Sequence, residues 1–390
     1  MGGSLSDILS SDIGVKQGCQ LTPTLFGLII DRLEHMVHEH ARKEGITNVL
    51  IGNTVLVLLL YADDVVLFTH SVEDAQKMME ALKAFCAHSG LEVNKQKTKI
   101  MLVKTRRTEQ PLIMYNDTPL ESVENFKYLG LEIPANYKWN ECAMRRLEAG
   151  KRAYYAFENM CNQGGIKCWT LKKYLFDALV IPVILYGVKV WGGSISNSTW
   201  KAFEGVQKRF LTTFLKVKSQ TPYRLLLLET GTIPIEIMGI ERVTTYMIKV
   251  KTSPQNRLPH IAWEASNKIQ KTHKSKLLST GWMLDISKWF KKWDAHHLLN
   301  NASKDIMVND AFLQRQCLTK WEGKGGSRWT HYITHIAPNY KILFFSERNH
   351  RTQPYILEPV PISAIRTLAA IRLSSHHLRC ETGRWGTNDP

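Results

Sequence analysis

The sequence has seven cysteines (Cys19, Cys86, Cys142, Cys161, Cys168, Cys317 and Cys380) but no CxxC pair among them. An odd number at wide spacing indicates neither a zinc knuckle nor a disulfide framework. Reduced thiols fit an intracellular compartment, nucleus or cytoplasm. Long apolar runs are also missing. The longest, 55–60 and 178–188, fall short of the about 20 residues that a bilayer-spanning helix needs, and Pro182 interrupts the second. Met1-Gly2-Gly3-Ser4 lacks the basic and apolar blocks of a secretory signal. There is no internal repeat and no low-complexity tract. Acidic residues are in deficit, 35 against 51 Lys and Arg, which leaves a net charge of +16. On a chain that is 44% hydrophobic, such an excess points to a polyanionic partner, nucleic acid first. A length of 390 residues allows two or three domains with cores of their own.

What is present divides into two textures. Up to residue 133, short apolar runs mix with helical patterns. Thr22-Pro23 reads as a helix start, Thr22 as the cap and Pro23 at the first helical position. Leu25, Phe26, Ile29, Leu33, Met36 and Val37 then recur at helical spacing. The runs 55–60 and 65–68 flank a short acidic break and predict a hairpin. Ser71 and Asp74 form a capping box for a helix carrying Ala75, Met78, Met79, Leu82, Phe85 and Cys86, which Gly90 ends. A strand near 99–103, a turn at Asn116-Asp117 and a strand over 126–133 complete an α+β pattern.

After Pro134 the pattern turns helical. Trp139, Ala143, Leu147, Gly150, Tyr154, Phe157 and Cys161 step along one face, with Arg145, Arg146, Lys151 and Arg152 largely off it. Gly164-Gly165 closes that helix, and further helical blocks cover 171–185 and 200–217. Beyond residue 240 the chain is basic, Trp-rich and weakly periodic, with 253–259 as a linker. The expected regions are therefore 1–133, 134–240 and 241–390, the last two mostly helical.

The sharpest chemical signal is Tyr61-Ala62-Asp63-Asp64 between two apolar strands. Adjacent carboxylates at a hairpin tip face solvent from a rigid frame and suit a divalent ion that prefers oxygen ligands. Nucleotidyl transfer needs such ions, because two metals about 4 Å apart stabilise the attacking and leaving oxygens. Read alone, an Asp-Asp turn is commonplace. Its neighbours change the reading: Gly14-Val15-Lys16-Gln17-Gly18-Cys19-Gln20-Leu21-Thr22-Pro23 upstream, then Gly90-Leu91-Glu92-Val93-Asn94-Lys95-Gln96-Lys97-Thr98-Lys99 and Phe126-Lys127-Tyr128-Leu129-Gly130 downstream. In this order and spacing, the four blocks resemble the palm of reverse transcriptases from non-LTR, LINE-like retrotransposons. Tyr186-Gly187-Val188-Lys189-Val190-Trp191-Gly192, Pro222 and Glu229-Thr230-Gly231 resemble the thumb region of the same elements. Lys189 and Gln20 depart from that pattern, where relatives often have an acidic residue and a proline.

The resemblance implies an α+β fold: a partial polymerase palm with an antiparallel sheet and helices over 1–133, a helical thumb over 134–240, and a mostly helical basic region over 241–390. It implies RNA-directed DNA polymerase activity with Mg²⁺ or Mn²⁺, an RNA template, a DNA primer and deoxynucleoside triphosphates. Asp63 takes the role of metal ligand and Asp64 that of its carboxylate neighbour. Tyr61 and Ala62 are expected near the primer end, and Gln17 and Gly18 at the loop behind template and nucleotide. Lys97 and Lys99 are candidates for phosphate contact or for a solvated surface. Tyr128, Leu129 and Gly130 belong to the expected primer-gripping strand.

The family places another catalytic Asp on a strand well upstream of the Gln-Gly loop. Asp7 and Asp12 lie too close to that loop and lack an apolar strand. The expectation is a chain without that strand, without the fingers, and inactive by itself. A non-catalytic nucleic-acid-binding remnant is the competing reading, and an intron-type maturase a third. His331 with His335, and His376 with Cys380, have zinc-compatible spacing but no second half-site. Trp263, Trp282, Trp289 and Trp293 read as core more readily than as base-stacking residues. Lys268, Lys271, Lys274 and Lys276 form a basic run facing either phosphate or water.

Overall fold

The structure, a computed structural model, describes residues 18–103, 111–272, 281–293 and 352–373. It mixes helices with short strands, in keeping with the α+β expectation, and forms two compact units, Met1–Phe126 and Lys127–Pro390. In the first unit, helix α1 (Thr22–Lys43) packs on α2 (Val72–Ser89). Leu33, Val37 and Ala41 of α1 and Met78, Met79, Leu82, Phe85 and Cys86 of α2 are buried in one core. The capping box forms as expected: Ser71 Oγ accepts from the Asp74 N–H at 2.9 Å, and Gly90 ends the helix at φ +66°. The start of α1 differs from expectation. Thr22 is not the cap; Leu21 precedes the helix with helical backbone angles, and its side chain offers no acceptor. The stripe also begins later than predicted, because Leu25 and Ile29 are exposed.

The strands are short and pair in twos. β1 (Val49–Ile51) and β2 (Thr54–Leu56) form one hairpin, and β3 (Leu58–Tyr61) and β4 (Asp64–Leu67) the next. The apolar run 55–60 is thus not one strand but is divided at Val57, whose carbonyl accepts the Phe68 N–H at 2.8 Å. β5 (Lys99–Ile100) runs parallel to β8 (Glu121–Ser122). β6 (Met114–Tyr115) and β7 (Thr118–Pro119) close through Asn116 and Asp117, both at positive φ, as a two-residue hairpin turn requires. The expected strand over 126–133 is instead a hairpin of β9 (Asn125–Tyr128) and β10 (Leu131–Pro134). It folds back because Leu129 and Gly130 both adopt left-handed backbone, at φ +47° and +77°.

The second unit is helical. On α3 (Asn140–Gln163) every residue of the predicted stripe except Trp139 is buried. α3 packs on α4 (Trp169–Leu179), α5 (Ile181–Ile184) and α7 (Asn197–Leu215). Gly150 is required at the α3–α5 crossing, since a Cβ there would lie 2.1 Å from Ile184 Cγ1. Phe176 of α4 stacks on Phe210 of α7 at 4.2 Å, with Trp169 beside it. The block predicted as continuous over 171–185 breaks at Val180, since Pro182 lacks the N–H to continue α4 and instead sits in the first turn of α5. α6 (Val188–Trp191), α8 (Tyr223–Thr230), α9 (Ile235–Lys251), α10 (Leu258–Thr272) and α11 (Trp282–Lys292) follow. α9 runs straight through residue 240, where the composition shifts. The last described helices are α12 (Pro354–Leu357) and α13 (Ile362–Arg372).

Two buried carboxylates tie this unit together. Glu236 accepts from the indoles of Trp289 and Trp293 at 2.9 and 3.0 Å and pairs with Lys292. Glu229, fully buried, accepts from Tyr355 Oη at 2.6 Å and pairs with Arg372 on α13. Trp263, Trp289 and Trp293 are buried and Trp282 packs against the same core, as the packing reading had it. His331, His335, His376, Cys380, Lys274 and Lys276 lie outside the described residues. No described helix is long and apolar enough to cross a membrane.

Glu229→Ala should remove the carboxylate that pairs with the largely buried Arg372, which keeps Gln353, and lower stability by about 2–4 kcal/mol, read as a shift in the urea midpoint at constant slope. Glu204 on α7 gives a pH signature. Burial, then the nearby Glu236 carboxylate, pushes it up to about 7, against the pull of Lys292, Arg224 and Lys201. A raised carboxyl stabilises the fold below its unfolded value of 4.5, and that contribution is lost as pH rises through about 7. Glu204→Gln should therefore match wild type near pH 4.5 and exceed it above pH 7 by about 1–2 kcal/mol, after discounting for partial solvent access. Denaturant melts across pH test this.

Candidate metal and nucleic-acid site

The register of the β3–β4 hairpin decides where the acidic pair sits. Leu58 opposes Leu67, Leu60 opposes Val65, and Tyr61 opposes Asp64. Side chains alternate across a strand. Leu58, Leu60, Val65 and Leu67 accordingly face the core of the first unit, and Tyr61, Asp64, Leu59 and Val66 share the opposite face. Ala62 and Asp63 form the two-residue turn, Ala62 with φ +52°. Tyr61, Ala62, Asp63 and Asp64 are all exposed. The turn presents two carboxylates to solvent from successive positions, Asp63 at the tip and Asp64 at the strand's first residue. Both offer hard oxygen ligands of the kind Mg²⁺ and Mn²⁺ take. Mg²⁺ is commonly held by one or two carboxylates, its other positions filled by water and substrate phosphate. The pair fits that pattern. Among the described residues, no cluster of three or more Asp, Glu, His or Cys side chains suits a metal.

Other predicted site residues are spread over both units. Gln17 lies outside the described residues. Gly18 has φ +84° with open space around it, just before α1. At the next position, hydrogen bonds from the Leu21 and Thr22 backbone lower the Cys19 thiol pKa. Lys97 is exposed on the turn where its N–H meets the Asn94 carboxamide at 3.1 Å. Lys99, on β5, is ion-paired to Glu121. Tyr128, Leu129 and Gly130 lie at the β9–β10 turn in the second unit.

Sequence reasoning left one feature unassembled. A cavity of about 390 Å³ in the second unit is lined by Lys127, Gly130, Arg145, Arg146 and Arg152, with Glu132 and Glu148 among them. Arg145 pairs with Glu132 at 2.6 Å. Arg146 lies over the Tyr186 ring, 5.5 Å from its centroid. The cations exceed the acids, so the groove favours an anion. Its arginines were legible as the polar side of the α3 stripe. Their meeting with Lys127 and the β9–β10 turn was not, because it depends on how the hairpin docks.

Residues 5–133 match the family model described as reverse transcriptase (RNA-dependent DNA polymerase). The chain is 31% identical over 141 residues to an uncharacterized transposon-derived protein of Caenorhabditis elegans, covering 35% of this chain and 49% of that protein. It is 27% identical over 131 residues to a retrovirus-related Pol polyprotein from a type-2 retrotransposable element of Drosophila melanogaster, covering 31% of this chain and 12% of that protein. It is 28% identical over 128 residues to the corresponding polyprotein from a type-1 element of Nasonia vitripennis, with 30% and 12% covered. The chain thus spans about half the first relative's length and a small part of the other two.

The left-handed Ala62 makes a local prediction. Ala62→Gly trades relief of backbone strain against unfolded-chain entropy and should shift stability by less than about 0.5 kcal/mol. Ala62→Val, β-branched at positive φ, should cost about 1–2 kcal/mol. Paired denaturant titrations check the contrast.

Proposed function

We propose that residues 5–133, which match the reverse-transcriptase family model and resemble retrotransposon polyproteins, belong to the reverse transcriptases of non-LTR retrotransposons, and that this chain carries the palm and thumb of an RNA-directed DNA polymerase. The observation that carries the reading is the exposed Asp63–Asp64 pair at the tip of a hairpin whose other face is packed into a core. Palm is assigned to 1–133, thumb to 134–240 and a basic C-terminal region to 241–390. The substrates are an RNA template, a DNA primer and deoxynucleoside triphosphates.

In this reading Asp63 and Asp64 hold Mg²⁺ or Mn²⁺, which supplies charge stabilisation to the reacting phosphoryl oxygens. The protein's own part is placement. The core-packed hairpin fixes the carboxylates so that little reorganisation is needed when the substrate arrives. Tyr61, exposed beside Asp64, offers a ring and a hydroxyl to the primer end, and Ala62 leaves space there. Gly18 lets backbone approach template or nucleotide. Lys97 and Lys99 supply positive charge for phosphates, Lys99 after exchange of its Glu121 partner. Tyr128, Leu129 and Gly130, next to the arginine-lined groove, meet the primer backbone.

One observation favours a second reading for the isolated chain. The net charge of +16 suits a polyanionic partner whether or not the chain carries out chemistry on it. In that reading the chain alone binds nucleic acid without extending it. Primer extension by the full 390-residue chain on an RNA template, with Mg²⁺ or Mn²⁺, separates the two. The expected outcome is binding that weakens steeply with salt and no extension, in wild type and Asp63→Ala alike. Extension that Asp63→Ala reduces by about 100-fold or more would instead make this chain a polymerase by itself. A chain that neither binds nor extends would refute both readings.

A further inference from the structure

We propose that Tyr186 is a positioning residue that fixes the Leu129–Gly130 turn and Arg146 as one grip on the nucleic-acid backbone, an inference that rests on the nucleic-acid reading above. The turn cannot hold itself cheaply. Leu129 and Gly130 are both left-handed, and Leu129 bears a Cβ that disfavours this conformation. The support comes from far along the chain: Tyr186 Oη donates to the Leu129 carbonyl at 2.7 Å, across 57 residues. The ring lies against the same turn. A Cβ on Gly130 would sit 3.4 Å from Tyr186 Cε1 and 3.5 Å from Oη.

The same ring carries Arg146, whose guanidinium stands 5.5 Å from its centroid. One tyrosine therefore touches both a hairpin tip and a cation that lines the groove. Tyr186 is itself anchored. Its carbonyl accepts from the indole of Trp191 at 3.0 Å, and Trp191 is fully buried. The following Gly187 has φ +69°, and a Cβ there would lie 2.4 Å from Leu131 of β10, so the chain presses against the hairpin at that point too. Yet Tyr186 remains 45% exposed. A tyrosine kept only for the core would be expected to bury more of its ring. The chemistry that such a unit recognises is a phosphodiester backbone: guanidinium for phosphate, and a rigid turn for steric register.

The test uses the full chain and a fluorescent DNA primer annealed to an RNA template, read by anisotropy, with amide hydrogen exchange over residues 127–134 and a global denaturation midpoint. Tyr186→Phe keeps the ring and removes the hydroxyl. The expected result is exchange about tenfold faster at the turn, affinity lower by about 3–10-fold, and a global midpoint near wild type. Arg146→Ala should flatten the salt dependence by about one phosphate contact. The double variant should lose less than the product of the two single losses, because both act on one unit. Wild-type affinity in Tyr186→Phe despite a loosened turn overturns the proposal. Multiplicative losses in the double variant overturn it as well. So does a fall in the global midpoint that accounts for the binding loss, since Tyr186 would then support the fold alone. A wild-type chain that fails to bind the duplex at all removes the underlying nucleic-acid reading instead, and is distinguished by that.

Discussion

The pairing of Leu58 with Leu67 and of Leu60 with Val65 is a packing constraint before it is anything else. Those four side chains join the core under α1 and α2. Side-chain direction in a strand has a period of two, so slipping the register by one residue would turn the apolar set to solvent. The core fixes the register, the register fixes Tyr61 opposite Asp64, and only Ala62 and Asp63 remain for the turn. Exposure of the acidic pair is thus a by-product of burying leucines and valines. It does not require any favourable contact of the carboxylates themselves, which leaves their oxygens available for an ion.

The second unit reaches rigidity by a different route. Its helices meet through aromatic packing, with the rings of Phe176 and Phe210 stacked nearly parallel, and through carboxylates sealed among indoles and cations. Glu229 lies in the Glu229-Thr230-Gly231 block that carries part of the family resemblance, and the structure gives it a packing partner, Arg372, 143 residues away. A motif residue of this kind holds distant segments together. Buried ion pairs add little net stability over apolar replacements, but breaking one partner is costly. Substitutions at Glu229 or Glu236 should therefore be felt across the helical unit, where they would be easy to mistake for losses of function.

Periodicity served well where one face of a long element is buried. The α3 stripe, the α2 cap and the Asn116-Asp117 turn were all legible, because each is decided by residues within a few positions of one another. Legibility failed at short strands. Nothing local distinguishes 55–60 as one strand from two half-strands divided at Val57; the division is made by which neighbour each half pairs with. The strand expected over 126–133 hid a turn because Leu129 is a poor turn residue by composition. Its left-handed backbone makes sense only with Tyr186 in place, and sequence gives no sign of a contact so remote. The place of the acidic pair at a hairpin tip was legible. Its setting in a two-residue turn, with Asp63 off the strand proper, was not.

Strain is placed unevenly along the chain. Asn116 and Asp117 tolerate positive φ, since their short polar side chains bond locally. Ala62 and Leu129 have no such help, and each sits at a hairpin tip beside residues that the family resemblance assigns to substrate. Left-handed non-glycine backbone of this kind costs on the order of 1 kcal/mol and persists only when its surroundings over-determine it. At Ala62 the surroundings are the packed strands on either side; at Leu129 they include, besides its flanking strands, the hydroxyl and ring of Tyr186. The first arrangement is set by a core and resists single substitutions outside it. The second draws in addition on a half-exposed side chain, so removing one oxygen atom should weaken it. Support of the second kind suits the backbone grip proposed above, and support of the first kind the proposed metal site.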